Sequence, residues 1–458
     1  MIRNSLFILL SASTFILGGC KKDNRLITEE VSPLGYAFTH MPIWEDGVTD
    51  LTVAIAWDSD WSLDSNRNPL VPHIAVSVMQ SGGTAGLGPD QVIELFEEKN
   101  AYAQIDATAD MIVAETEFPN DYTDDILPVL TELFQKPTFD EAWIARSRDG
   151  AVEFTQGNIR SLWQQMWDVG RQALLSDGPQ TDFANYFDVD QMKAITRDDL
   201  IAWHQRSFSA APRAITVAGA IDVKDAGEII DQILGVVQPD FVANAIVQPV
   251  RHNAKRIYLH IADAEKTVMG LVGKLPATTD GKDYQDLVAL NLFAGGAGSP
   301  LFEAIRTDLG SSYGLNAGMD NLGRNQRLLY IGGEVETDKL NKAIDATLEI
   351  YAAFLNQPNF EALSGITSRI AGGVRKNVQA VNTSARALLQ LEIDNLDPTN
   401  FAKLADNFEG ITEGEIKERF NTAYPKADEF LILAVGPNSE GFSDACVVKD
   451  LSEVAACE

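Results

Sequence analysis

Two stretches of this chain repeat each other, and that repetition limits the fold more than any other feature. Gln135-Lys136-Pro137-Thr138-Phe139-Asp140-Glu141 recurs as Asn356-Gln357-Pro358-Asn359-Phe360-Glu361-Ala362, and each copy precedes a long helical pattern. Downstream, Ala194-Ile195-Thr196-Arg197-Asp198-Asp199-Leu200 is answered by Gly410-Ile411-Thr412-Glu413-Gly414-Glu415-Ile416. Each Ile-Thr pair sets a threonine at a helix N-cap with acidic residues in the first turn, where the backbone N–H groups lack partners. Each of those helices leads to an apolar strand, 214–218 and 430–435, that ends in a turn at Gly219 or Gly436. Matching landmarks in one order at a nearly constant offset mean a duplicated domain.

Within each half, strand patterns at 51–57, 111–118 and 328–335 mix with amphipathic helices at 124–134 and 337–355. The pattern predicts an α+β fold of two homologous repeats, each a mixed, mainly antiparallel sheet covered by helices. The expected layout is an export signal over 1–19, a first domain over 20–237, a linker over 238–252, a second domain over 253–440 and an acidic tail over 441–458. The mature chain is long enough for two full cores. The stripe Trp163, Met166, Trp167, Leu174 has helical spacing and reads as core, not as a ligand site.

The ends of the chain carry their own signals. Residues 1–19 combine Arg3, an apolar run over 6–17 and small residues before Cys20. The run is too short for a permanent membrane helix and reads as an export signal. The Gly-Gly-Cys ending resembles the lipobox of bacterial lipoproteins. Cleavage would leave Cys20 as a lipid-bearing N-terminus, and Lys21 in place of Asp favours the outer membrane. A signal peptide with an incidental cysteine is the alternative. The two remaining cysteines, Cys446 and Cys457, form an even pair in an exported chain, which favours a disulfide over two free thiols. A formal net charge of −30 repels phosphate backbones and anionic lipid. Nucleic acid is therefore no expected partner, and any membrane contact runs through the N-terminal lipid.

A short helix is legible around residue 300. Ser299 is a good N-cap, Pro300 suits the first helical position and Gly310 supplies a left-handed stop. This puts Arg306 near the end of a two-turn helix with Tyr313 just beyond it. The approach through Gly295, Gly296 and Gly298 reads equally as a lip that contacts substrate and as the turn before the helix.

Catalytic patterns are sparse. The five histidines, at 40, 73, 204, 252 and 260, include no pair one helical turn apart, as a zinc site on a helix requires. Gly310-Ser311-Ser312-Tyr313-Gly314 fits a nucleophile elbow by letter. A helix comes before it where a strand should, and no histidine follows His260, so Ser312 is a chance match.

The duplicated halves, the Pro-x-Phe helix starts, the Ile-Thr caps and the segment 295–313 resemble the insulinase or pitrilysin-like family, in its processing-peptidase branch. In that family the first half carries the inverted zinc motif H-x-x-E-H with a distal glutamate. Here the matching segment is Val71-Pro72-His73-Ile74-Ala75-Val76-Ser77. His73 fits the first ligand, Val76 replaces the base, Ser77 replaces the second ligand, and Glu153 lies where the distal glutamate belongs. The resemblance therefore implies no zinc bound by this chain.

It also implies a role for the second half. In the heterodimeric branch a zinc-less subunit supplies an arginine and a tyrosine at the spacing of Arg306 and Tyr313, which reach peptide substrate held at the partner's zinc. A guanidinium and a phenol can each donate to a peptide carbonyl or to a developing oxyanion. Losing one such donor costs about 3 kcal/mol of barrier. The expected function is thus a non-catalytic subunit of a heterodimeric metallopeptidase in the bacterial envelope, facing the periplasm. Its partner would bear H-x-x-E-H and the zinc. The alternative is a peptide-binding or scaffolding lipoprotein with the same fold.

Overall fold

The structure is a computed structural model. The structure describes residues 26–156, 161–175, 179–185, 188–236, 251, 255–277, 283–308, 310, 314–322, 326–440 and 442–457. The export segment with Cys20, Tyr313 and all of the 238–252 linker but Arg251 lie outside the described residues.

Among the described residues twelve strands form two six-stranded sheets, five strands of which follow the same order in both. The first orders β1 (Thr28–Val31), β2 (Ala37–Pro42), β6 (Ala214–Gly219), β3 (Asp50–Asp58), β5 (Met111–Pro119) and β4 (Tyr102–Ala107). The second orders β12 (Cys446–Val448), β7 (Arg256–His260), β11 (Leu431–Gly436), β8 (Thr267–Lys274), β10 (Arg327–Val335) and β9 (Gly314–Asn321). In each, β2 with β6 or β7 with β11 is a parallel pair and the strands from there to β4 or β9 run antiparallel, while the outermost strands differ, β1 antiparallel to β2 and β12 parallel to β7. The α+β duplication read from the sequence is this pair of sheets. The repeated threonines behave alike as well: Thr196 and Thr412 accept the backbone N–H of Asp199 and Glu415, whose carboxylates bond back to each threonine N–H. Each such cap contributes about 1 kcal/mol.

Alternation along the strands gives every sheet two apolar faces, as strands covered on both sides require. On the inner face of the first sheet, Leu51, Val53, Ile55 and Trp57 of β3 meet helices Val71–Ser81, Thr123–Gln135, Arg197–Phe208 and Val223–Leu234. Helices Tyr284–Ala294, Leu340–Asn356 and Glu413–Thr422 do the same for the second.

The outer layers are exchanged between the halves. Helix Val381–Ile393, from the second repeat, lays Val381, Ala385, Leu388 and Leu389 over Met41, Ala54, Ala56 and Ala218 of the first sheet. Helix Leu162–Leu175, from the first repeat, lays Met166, Trp167, Val169 and Leu174 over Val268, Val272, Leu433 and Val435 of the second. The tryptophan stripe is thus core, and the core is that of the opposite half. Small residues make the seats: Ala54, Ala56 and Ala218 in one sheet, and in the other Gly270 beside Gly332, where Met166 and Trp163 fill the space. Boundaries drawn along the chain at 237 and 253 separate the sheets but not the layers.

The C-terminal segment also differs from a tail standing apart. Its strand β12 joins the second sheet parallel to β7. Cys446 and Cys457 are joined by a disulfide, their Cα atoms 5.7 Å apart. Val448, Val454 and Cys457 pack into the cluster that holds helix Leu162–Leu175, so burial draws the segment in.

Candidate functional site

Helix Val71–Ser81 carries the segment that matches a zinc motif. Pro72 starts it and Gly82 ends it. Gly83 follows with φ of 77°, and a Cβ there would lie 2.8 Å from the Leu87 carbonyl, so the turn needs glycine. His73 points inward and is 8% exposed. Its ring stacks on Phe183 with centroids 4.0 Å apart at 16°, and its Nε2 lies 2.7 Å from the Phe183 carbonyl. A carbonyl only accepts, so Nε2 carries the proton and donates. Burial pushes the imidazole down to about 3, against the opposing pull of that carbonyl.

The neighbouring positions are no more available to a metal. Val76 is buried in the first core. Ser77 is exposed and its hydroxyl lies 3.1 Å from that of Ser147 on helix Glu141–Gln156. Glu153, on the same helix, is exposed and lines an open groove with Asp149, Val152 and Gln156. Zinc needs three or four ligands, and beside His73, whose Nε2–H is committed to a carbonyl, the row offers only a valine side chain and a serine hydroxyl. These residues do not fit a zinc ion. Among the described residues, no three His, Cys, Asp or Glu side chains gather into a metal-binding group.

The second repeat puts an ion cluster at the corresponding place. Helix Tyr284–Ala294 has the same length as Val71–Ser81 and is likewise followed by two glycines, which sets Asp286 where the first repeat has His73. Asp286 is fully buried. It accepts from Arg327 at 2.5 Å and from Arg419 at 2.8 Å, while Arg327 also pairs with Asp283 at 2.7 Å. Such an arrangement satisfies its own charges and holds β10 and helix Glu413–Thr422 to the motif-position helix.

The glycine approach and the arginine helix come next along the chain. Gly295 caps helix Tyr284–Ala294. Gly296 and Gly298 take φ of 108° and 86°, and a Cβ at either would meet nothing within 4 Å. The positive φ values, not a crowding neighbour in this chain, are what call for glycine at both positions. The Ser299 hydroxyl accepts from the Phe302 N–H at 3.4 Å, and Pro300 opens the helix. The two α-turns expected there are instead one short α segment, Pro300–Phe302, that widens into a π-helix over Glu303–Asp308. Such widening places each later residue at an angle that an α-helical count does not give, and it recurs at functional sites. Arg306 lies on this segment by its backbone, and its side chain is outside what the structure describes. Gly310 has φ of 55° and its carbonyl accepts from Lys339 Nζ at 3.1 Å.

Residues 194–365 match the family described as Peptidase M16 inactive domain. The fold is that of the M16 peptidases. An M16 inactive-domain structure from Pseudomonas fluorescens superposes at a TM-score of 0.79 and 18% identity, over 90% of this chain and 98% of that one. The first half of the periplasmic protease PqqL from Escherichia coli superposes at 0.68 and 16%, over 96% and 97%. Against complete PqqL the values are 0.69 and 16%, over 96% of this chain and 50% of that one. The chain thus spans about half the length of the full periplasmic protease. No curated protein sequence matches it.

The M16 match runs from the helix capped by Thr196 through the second-half strands β7 to β10, so it includes Arg306 and the glycine approach. What motif reading missed in this M16 fold are the partners of the degenerate positions, Phe183 and Ser147, and the Asp286, Arg327, Arg419 cluster. Phe183 lies 110 residues from His73, and no spacing rule connects them. Asp286 could have been found by aligning the two glycine pairs that follow the helices.

Proposed function

We propose that this chain is a zinc-less, non-catalytic M16 subunit that pairs with a zinc-bearing M16 chain at the bacterial envelope and helps hold peptide for it. The observation that carries the reading is the state of the motif helix. His73 gives its Nε2–H to the Phe183 carbonyl, Val76 is core and Ser77 bonds Ser147, so no water-activating group remains there. Arg306 and Tyr313 are the substrate-binding residues in this reading, with Gly295, Gly296 and Gly298 as the substrate loop. All of them lie in the second repeat and within residues 194–365, the stretch that matches the inactive domain.

A periplasmic protease among the structural neighbours supports the periplasm, and the Gly-Gly-Cys20 ending supports a lipid anchor in the outer membrane. Among the described residues no helix is long and apolar enough to cross a membrane. A peptide-binding lipoprotein with no part in proteolysis is the second reading, favoured by the same blocked helix.

The test is a pull-down of native, detergent-solubilised protein, with partners identified by mass and the complex assayed on unstructured peptides beside an Arg306→Ala form. A partner bearing H-x-x-E-H and activity that falls about 100-fold in the variant are expected. Recovery without such a chain, and no cleavage, would leave the binding module.

A further inference from the structure

The exchanged helix Val381–Ile393 brings a carboxylate to a place with no counter-charge. Glu392, near its end, is half-buried and accepts a hydrogen bond from the Thr39 hydroxyl of β2. Thr39 is paired directly with Glu29 of β1 and with Thr216 of β6. Directly paired residues put their side chains on one face, so Glu29 and Glu392 share the outer face of the first sheet. Thr216 buries an unpartnered hydroxyl on that face. Among the described residues, no basic side chain pairs with either glutamate.

The charged groups on the surrounding elements are engaged elsewhere. Arg386, earlier on the same helix, pairs with Glu115 of β5. Arg213, just before β6, donates to the Ile393 carbonyl and faces Asp58. Glu117 of β5 takes the Thr52 hydroxyl of β3, and Glu30 of β1 faces His40 on the other side. Asp394 accepts from Gln390, and Asp397, the N-cap of the segment Pro398–Lys403, faces Lys403.

We propose that Glu29 and Glu392 form a proton-operated latch, which holds β1 on the first sheet while Glu392 is protonated and loosens it when both carboxylates are charged. The strand is the element that yields. It is four residues long, lies at the sheet edge and pairs only with β2, whereas the helix is anchored by core leucines and by the Arg386–Glu115 pair. The loosening stops at Ser32, because Ser32 and the Leu34 N–H both bond Asp231 on helix Val223–Leu234.

Burial and then the Glu29 charge push Glu392 up from 4.5 to about 7. A carboxyl whose folded value is raised stabilises the fold fully below pH 4.5 and loses that contribution as pH rises to about 7. The latch therefore opens across mildly acidic to neutral pH. It is independent of any partner or peptide.

The test is hydrogen exchange of the full chain by mass spectrometry at a series of pH values from 5 to 8, corrected for intrinsic rate and compared with β6. Protection of Thr28–Val31 should fall about threefold across the series, the size of a cross-strand like-charge effect. Glu392→Gln should keep the strand protected at every pH, and Glu29→Gln should shrink the fall and lower its midpoint. No fall in the wild type, or an equal fall in Glu392→Gln, overturns the latch. Should Glu392→Gln not fold, the exposed Glu29→Gln decides alone, and an unchanged midpoint there overturns it.

Discussion

His73 lies flat on Phe183 and gives its Nε2–H to that same residue's carbonyl, so one phenylalanine engages both the face and the edge of the ring. The histidine that the family resemblance aligns with a metal ligand is here a packing element. Its imidazole is useful to the fold only when neutral.

That neutrality sets a pH dependence. His40 and His204 are also lowered by burial and donate to the carbonyls of Ile221 and Phe134. A base whose folded value is depressed leaves the unfolded chain binding more protons below pH 6.5, so stability falls as pH falls from 6.5 toward 3. His73 alone should contribute a loss of about 2 kcal/mol between pH 6.5 and 5, opposed in part by Glu392. Urea unfolding at pH 7.5 and 5 should show a smaller loss in His73→Gln, and an identical loss in both proteins would refute the assignment.

Restoring the motif letters should not restore the metal site. Val76→Glu with Ser77→His writes H-x-x-E-H, but it forces a carboxylate into the first core and leaves His73 bonded to Phe183. We expect about 2–4 kcal/mol of destabilisation and no stoichiometric zinc. Elemental analysis after dialysis, with a melting curve, reads both. One tightly bound zinc at native stability would show that the helix is still competent.

The seats of the exchanged helix allow a sharp comparison. A Cβ on Gly270 meets the Met166 sulfur at 2.6 Å, and that thioether can swing away. On Gly332 it meets the Met269 backbone carbonyl at 2.5 Å with Trp163 behind it, and neither can yield cheaply. Gly332→Ala should cost about 2–3 kcal/mol and Gly270→Ala less than about 1.5. Denaturant midpoints decide it; equal costs would mean that the backbone gives at 332.

Much of this was readable in the chain because the deciding signals are local. Thr196 and Thr412 announce their helices through groups within three residues, and Gly219 and Gly436 close equivalent strands. The exchange of outer helices is not local. An apolar stripe such as Met166, Trp167 and Leu174 states that a face is buried, and nothing in its spacing says against which sheet. The small residues that receive it, Gly270 and Gly332, lie on separate strands and look like ordinary glycines until the strands pair. The π-helix at Glu303–Asp308 escaped for a related reason, since caps at Ser299 and Gly310 mark where a helix begins and stops but not its pitch. That Val76 and Ser77 carry no zinc-binding group was plain from the letters, while the Phe183 contact of His73 required the fold.

The crossed helices Leu162–Leu175 and Val381–Ile393 turn a tandem duplication into a single indivisible body. A break anywhere between Leu234 and Arg256 would leave each fragment holding the outer layer of the other, so the pieces would stay clasped without a covalent join. Made separately, each would expose a sheet face of alanines or glycines and lack the helix cut to cover it. Ancestry doubled a module, and interlacing then removed the option of using either copy alone.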